Sequence, residues 1–222
     1  MPLYKTIPVN TATTVYIWKI EESVQELEKN IELTSRCRSR IDDMRSEIHQ
    51  KGFLSVRQLL KIAGYKPSDL FYNTSGKPHL TNGYQISITH SFIFSAIIIS
   101  SENEIGIDIE KEREKIQIIA PRFMRYELNY LKNGNLVKPM SVIWCVKESL
   151  YKAFAAKGLS FRQHIKVVPF LGSSENQGVA WIHYGKSVEK YRFSHFSFEG
   201  FTCAYALKEK FERPLQQKRN FS

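Results

Sequence analysis

Tyr84, Ser87 and Phe94 recur as Tyr191, Ser194 and Phe201, each pair 107 residues apart. The echo sits inside a repeated order of elements. In the first half, β-branched and aromatic residues predict a strand over 13–20. Val24, Leu27 and Ile31 predict a helix over 21–32. A second helix is expected over 46–63, with Ile48, Phe53, Val56, Leu59, Leu60 and Ile62 as its apolar face and Gly64 as its stop. A short strand over 70–73, a turn over 74–78 and a hairpin of 84–89 with 94–100, bending around His90-Ser91-Phe92, complete the set. The second half repeats it with a strand over 104–110, helices over 118–131 and 142–156 (the latter stopping near Gly158), and strands over 166–170, 179–184, 191–196 and 202–207. The order strand, helix, helix, strand, hairpin predicts an α+β fold built as a pseudo-dimer of similar halves, 1–103 and 104–207. Residues 208–222 read as a polar, flexible tail. A site is expected in the groove between the halves.

Composition narrows the partners. The chain of 222 residues carries a formal charge of +10, which points to an anionic partner without saying which. Cys37, Cys145 and Cys203 are odd in number and lack metal-ligand spacing, as expected of reduced thiols in a cytosolic protein. No secretory signal pattern opens the chain. Residues 78–101 contain no Asp, Glu, Lys or Arg. Their unbroken apolar part is far shorter than the ~20 residues of a membrane helix, so buried β structure is expected and no membrane partner.

Two segments carry chemistry. In Ile105-Gly106-Ile107-Asp108-Ile109-Glu110, strand periodicity puts the isoleucines on one face and Gly106, Asp108 and Glu110 on the other. Carboxylates two apart, with Cβ atoms roughly 6.5–7 Å from each other, repel unless a proton or cation intervenes. Hard oxygen donors favour Mg²⁺, or Mn²⁺. The pair is also compatible with a strand end whose acids simply face water. In 144–152 (WCVKESLYK), Trp144, Glu148 and Lys152 share one helical stripe. Glu148 could complete a cation site begun by Asp108 and Glu110, with Lys152 beside bound phosphate; an ordinary i,i+4 ion pair is the alternative. His90 in the hairpin bend and Lys77 beside the turn proline are further candidates, each equally readable as structural or solvated.

Together these segments resemble the two signature motifs of the 4′-phosphopantetheinyl transferases. The order Gly76-Lys77-Pro78, then 87–91 (SITHS), then the two signatures is similar to the longer, surfactin-synthetase-activating type, over roughly residues 13–207. The resemblance implies that family's fold and its reaction. Coenzyme A would donate its 4′-phosphopantetheine arm to a serine of an acidic apo carrier protein and release 3′,5′-ADP. It implies Mg²⁺ held by Asp108, Glu110 and Glu148, with Glu148 as base for the serine hydroxyl. Lys152 would bind phosphate and the departing oxygen, while Lys77, Thr89 and His90 would grip the coenzyme. Glu127 resembles a family acid and is expected to support the site. Thr89 stands where the family often has serine, and Gly52 where a glutamate is frequent, although Arg57 fits the arginine that follows. Arg45, His49 and Lys51 are candidates for the 3′-phosphate. Two halves in one chain point to a working monomer, and the reduced thiols to the cytoplasm. Two other readings stand beside it: a nucleic-acid-binding module suggested by the basic run 36–45, and a Mg²⁺-dependent nucleotide pyrophosphatase on the same scaffold. No helix-turn-helix, zinc-finger or ribonucleoprotein pattern supports the former, so no nucleic-acid partner is expected.

Overall fold

The computed structural model describes residues 3–131, 134–170 and 176–209. Two antiparallel sheets with flanking helices give a mixed α+β fold. The first sheet comprises β1 (Leu3–Asn10), β2 (Thr13–Lys19), β3 (Leu70–Tyr72), β4 (Pro78–Leu80), β5 (Gln85–Ser91) and β6 (Phe94–Ser100), in the order β1-β2-β6-β5-β4-β3. The second comprises β7 (Ile105–Lys111), β8 (Ile165–Val167), β9 (Gln177–Tyr184), β10 (Ser187–Phe198) and β11 (Phe201–Lys208), in the order β7-β11-β10-β9-β8. Helices α1 (Val24–Glu28), α2 (Ser35–Asp42) and α3 (Glu47–Ile62) lie between β2 and β3, and α4 (Lys115–Phe123), α5 (Val137–Phe154) and α6 (Phe161–His164) between β7 and β8. In each sheet the strand that precedes the helices pairs with the last strand of its set, and the others follow in reverse chain order.

Among the described residues, three apolar clusters form the core. One lies under α1–α3 on the first sheet, and one around α4–α6 on the second. The third fills the seam between sheets, where Val15, Ile17, Phe94, Ala96 and Ile98 meet Ile105, Ile107, Ile109, Phe201, Cys203 and Tyr205. Phe94 and Phe201 meet edge to face there, 5.0 Å between centroids. The isoleucine face of β7 is thus buried as its alternation requires. Tyr84 and Tyr191 differ: the first is exposed and the second fully buried.

Several boundaries depart from expectation for local reasons. The edge strand β1 was not expected; Pro8 and its mostly exposed pattern hide it. Helix α1 is shorter, set by a capping box of Ser23 and Glu26. Segment α2 is helical although it reads only as basic, because Thr34 caps it and Cys37 and Ile41 are buried. On α3, Leu54 belongs to the buried face, whereas Ile48 and Ile62 are exposed. The expected helix 118–131 ends at Phe123, and a 3₁₀ turn, Glu127–Asn129, follows. Helix α5 begins at Val137, with Pro139 tolerated in its first turn, and ends on Ala155 in a left-handed conformation (φ 52°) rather than at Gly158. His90 and Ser91 lie on β5, and the bend itself is at Phe92, with φ 53°. Of the expected tail, Lys208 and Glu209 are held by ion pairs, and 210–222 lie outside the described residues.

Candidate active site

Strand β7 and helix α5 approach unusually closely. A Cβ on Gly106 would sit 1.8 Å from the carbonyl oxygen of Ser149, so only glycine fits. The Ser149 hydroxyl, shared between the carbonyl oxygens of Cys145 (2.7 Å) and Ala204 (3.0 Å), ties the helix to β11, the strand paired with β7. Since Asp108 and Glu110 share the face of Gly106, they are brought to the helix that carries Trp144, Glu148 and Lys152.

Asp108 is 4 % exposed. Its Oδ1 accepts from Thr89 Oγ1 (3.0 Å) and from Lys152 Nζ (2.8 Å), which also donates to the carbonyl of Ile107 (2.9 Å). Its Oδ2 is buried and, among the described residues, has no hydrogen-bond partner. An unpartnered carboxylate oxygen inside a protein is costly and calls for a counter-ion or donor. Burial, then the charge of Asp108, raises the carboxyl pKa of Glu110, with Trp144, Arg113 and Lys152 opposing. Glu148 is pushed to about 7 by burial, then by Asp108 and also by Glu110, against the pull of Lys152. The three acids therefore share one electrostatic neighbourhood. As they stand, no group of three or more His, Cys, Asp or Glu among the described residues is arranged to hold a metal ion. The donor set nonetheless fits a hard cation: carboxylate oxygens only, one of them orphaned, and two groups destabilised as anions.

Beside this cluster opens a cleft of about 830 Å³, walled by α3 and the β3–β4 turn on one side and the end of α5 on the other. Lys77, His90 and Lys152 line it, as do Arg40, Arg57 and Lys157. Lys77 Nζ donates to the carbonyl of Ala153 (2.7 Å) in the last turn of α5, and desolvation lowers its pKa. Desolvation first, then His49 and Lys152, lower that of His90, leaving it uncharged at neutral pH. The His90 ring lies against Gly52, where a Cβ would come within 2.8 Å of Cδ2. The glycine is thus the partner of His90. Arg57 is buried over the Phe53 ring, 3.3 Å from its centroid, and its Nε has no hydrogen-bond partner among the described residues.

Some expected residues are placed differently. Thr89 is buried against Asp108 and is absent from the cleft lining, so its hydroxyl orients the carboxylate. Arg45 and Lys51 also lie outside the lining, Lys51 pairing with Glu47 at 2.9 Å, whereas His49 and Arg40 border the cleft. Glu127 is fully buried with Lys147: the two pair at 2.8 Å, and Lys147 Nζ also donates to the carbonyls of Phe123, Phe161 and Ile165. Its support is structural, through loops packed behind α5. The sequence reading missed Arg40 and Lys157, which only the packing of distant segments brings together.

Residues 104–206 match the family model of the 4′-phosphopantetheinyl transferase superfamily. The match spans β7 through most of β11, with both signature segments inside it, and supports that superfamily of transferases. No curated protein matches the chain. Among the described residues, no helix is long and apolar enough to cross a membrane.

Proposed function

We propose that the chain transfers the 4′-phosphopantetheine arm of coenzyme A to a serine of an acidic apo carrier protein, releasing 3′,5′-ADP, as an enzyme of the surfactin-synthetase-activating type. One observation carries the reading: the buried, unpartnered Oδ2 of Asp108, coupled to Glu110 and Glu148, stands beside a cation-lined cleft. The shared strand order of the two sheets supports the view of the halves as copies of one unit, with the cleft between them.

Asp108, Glu110 and Glu148 would hold Mg²⁺ or Mn²⁺, which when bound supplies charge neutralisation at the pyrophosphate. The chain's own residues do the rest. Thr89 and Lys152 fix Asp108 through Oδ1, leaving Oδ2 free as a donor. Arg40, Arg57, Lys77 and Lys157 offer positive charge to a polyanionic coenzyme. Uncharged His90 contributes a hydrogen bond. Glu148, in its carboxylate form, takes the proton of the serine hydroxyl. Lys152, held beside the site by Asp108 Oδ1, would stabilise the departing phosphate oxygen.

The test is intact-mass analysis of apo carrier proteins incubated with the full chain, coenzyme A and Mg²⁺. One added phosphopantetheine per carrier, with 3′,5′-ADP formed, is expected. Free phosphopantetheine without any carrier would replace this reading with a pyrophosphatase. No mass gain on any acyl or peptidyl carrier would end it.

A further inference from the structure

A second concave site lies away from the cleft. It has a volume of about 440 Å³ and is lined by Arg125, Tyr126, Asn129, Arg162, Gln163 and Lys166, none of which lines the cleft. Three of the six are cations and none is an acid. Among the described residues, no carboxylate pairs with Arg125, Arg162 or Lys166. Glu127, the acid next in sequence, faces inward. Its Oε1 pairs with the Lys147 ammonium (2.8 Å) and accepts from the amide of Val167 (2.9 Å), and its Oε2 accepts from the amide of Arg125 (3.3 Å).

The same buried pair frames the pocket. Lys147 Nζ donates to the carbonyls of Phe161 (2.9 Å) and Ile165 (2.8 Å). Each cation therefore adjoins a clamped backbone atom: Arg125 through its own amide, Arg162 as the residue after Phe161, and Lys166 between Ile165 and Val167. Like charges gathered on a rigid frame repel, and a bound anion relieves that repulsion. Two guanidinium forks match paired phosphate oxygens better than they match scattered single charges. Asn129 and Gln163 amides and the Tyr126 hydroxyl add neutral donors.

We propose that Arg125, Arg162 and Lys166 form an anion site for a dianionic phosphoryl group, carried either by inorganic phosphate or by a phosphomonoester. The test follows the amides of Tyr126 and Gln163 and the Arg162 Nε–H by NMR of the isotope-labelled full chain. Inorganic phosphate, glycerol phosphate, acetate and a polyglutamate peptide are titrated at constant ionic strength. Saturable shifts with phosphate or the ester, weakened about tenfold in Arg162→Ala, are expected. Tighter binding of the ester would name it as the source, and equal binding would name free phosphate. Arg162→Lys, which keeps the charge and loses the fork, should bind with intermediate affinity. Lys166→Gln, on an exposed strand position, guards against a folding defect in the arginine variant. Shifts that never saturate, that survive Arg162→Ala, or that the polyglutamate peptide reproduces equally would overturn the assignment.

Discussion

At Glu148 the electrostatics make a prediction independent of turnover. Its carboxyl is raised from the ordinary 4.5 to about 7, chiefly by burial. The folded chain keeps this proton where the unfolded chain has lost it. Its contribution to stability is therefore complete below about pH 4.5, declines as pH rises, and is gone above about 7. The difference is at most about 3 kcal/mol, with partial solvent access reducing it. Metal-free wild type should thus melt several degrees lower at pH 8 than at pH 5 relative to Glu148→Gln, which removes the titration. Parallel melting curves for the two chains would contradict the placement of Glu148 among the acids. Adding Mg²⁺ at pH 8 should raise the melting temperature of wild type and leave Asp108→Asn nearly unmoved. In the carrier assay, Glu148→Gln should slow turnover by about 10²–10⁴-fold. These acids were legible in the sequence because strand and helix periods fix which side chains share a face. The contact of Thr89 with Asp108 was not legible, because it depends on how β5 packs beside β7, which no local period reveals.

Among the elements, the β7–α5 contact is the least forgiving. Gly106→Ala places a methyl group on the Ser149 carbonyl, a backbone atom that cannot swing aside. Separating strand and helix enough to admit it should cost several kcal/mol or abolish folding, read by urea denaturation. Behind the helix, Lys147→Met leaves Glu127 buried without its cation, an expected loss of about 3–5 kcal/mol. Adding Glu127→Gln to that variant should recover part of the loss. If the double variant were as unstable as the sum of the singles, the pair would not be acting as a unit. The strands of the second half and the body of α3 and α5 were readable from periodicity. Helix α2 was not, since its stability comes from the Thr34 cap and from Cys37 and Ile41 packing on distant residues. The ends of α4 were equally hidden: Glu127 binds backbone amides at 125 and 167, and that link across 40 residues competes with helix continuation.

For the molecule as a whole, the question is why the halves are joined at all. The seam cluster packs one sheet on the other, and the cleft exists only where α3 and the β3–β4 turn face the end of α5. Lys77 crosses that gap and meets Ala153. Its ammonium caps the Ala153 carbonyl in the last turn of the helix, at the negative pole of the helix dipole. A polyanion entering the cleft would compete for this lysine, so on the proposed function coenzyme binding would be coupled to this link. Lys77→Gln should therefore weaken coenzyme A binding about tenfold, the scale of one charge-assisted hydrogen bond. Calorimetric titration of the full chain measures this directly. The variant should also lose a small amount of stability, since the neutral amide can still donate to Ala153. Unchanged affinity for coenzyme A would place the coenzyme elsewhere, and the cleft would then need another anion to account for its cations.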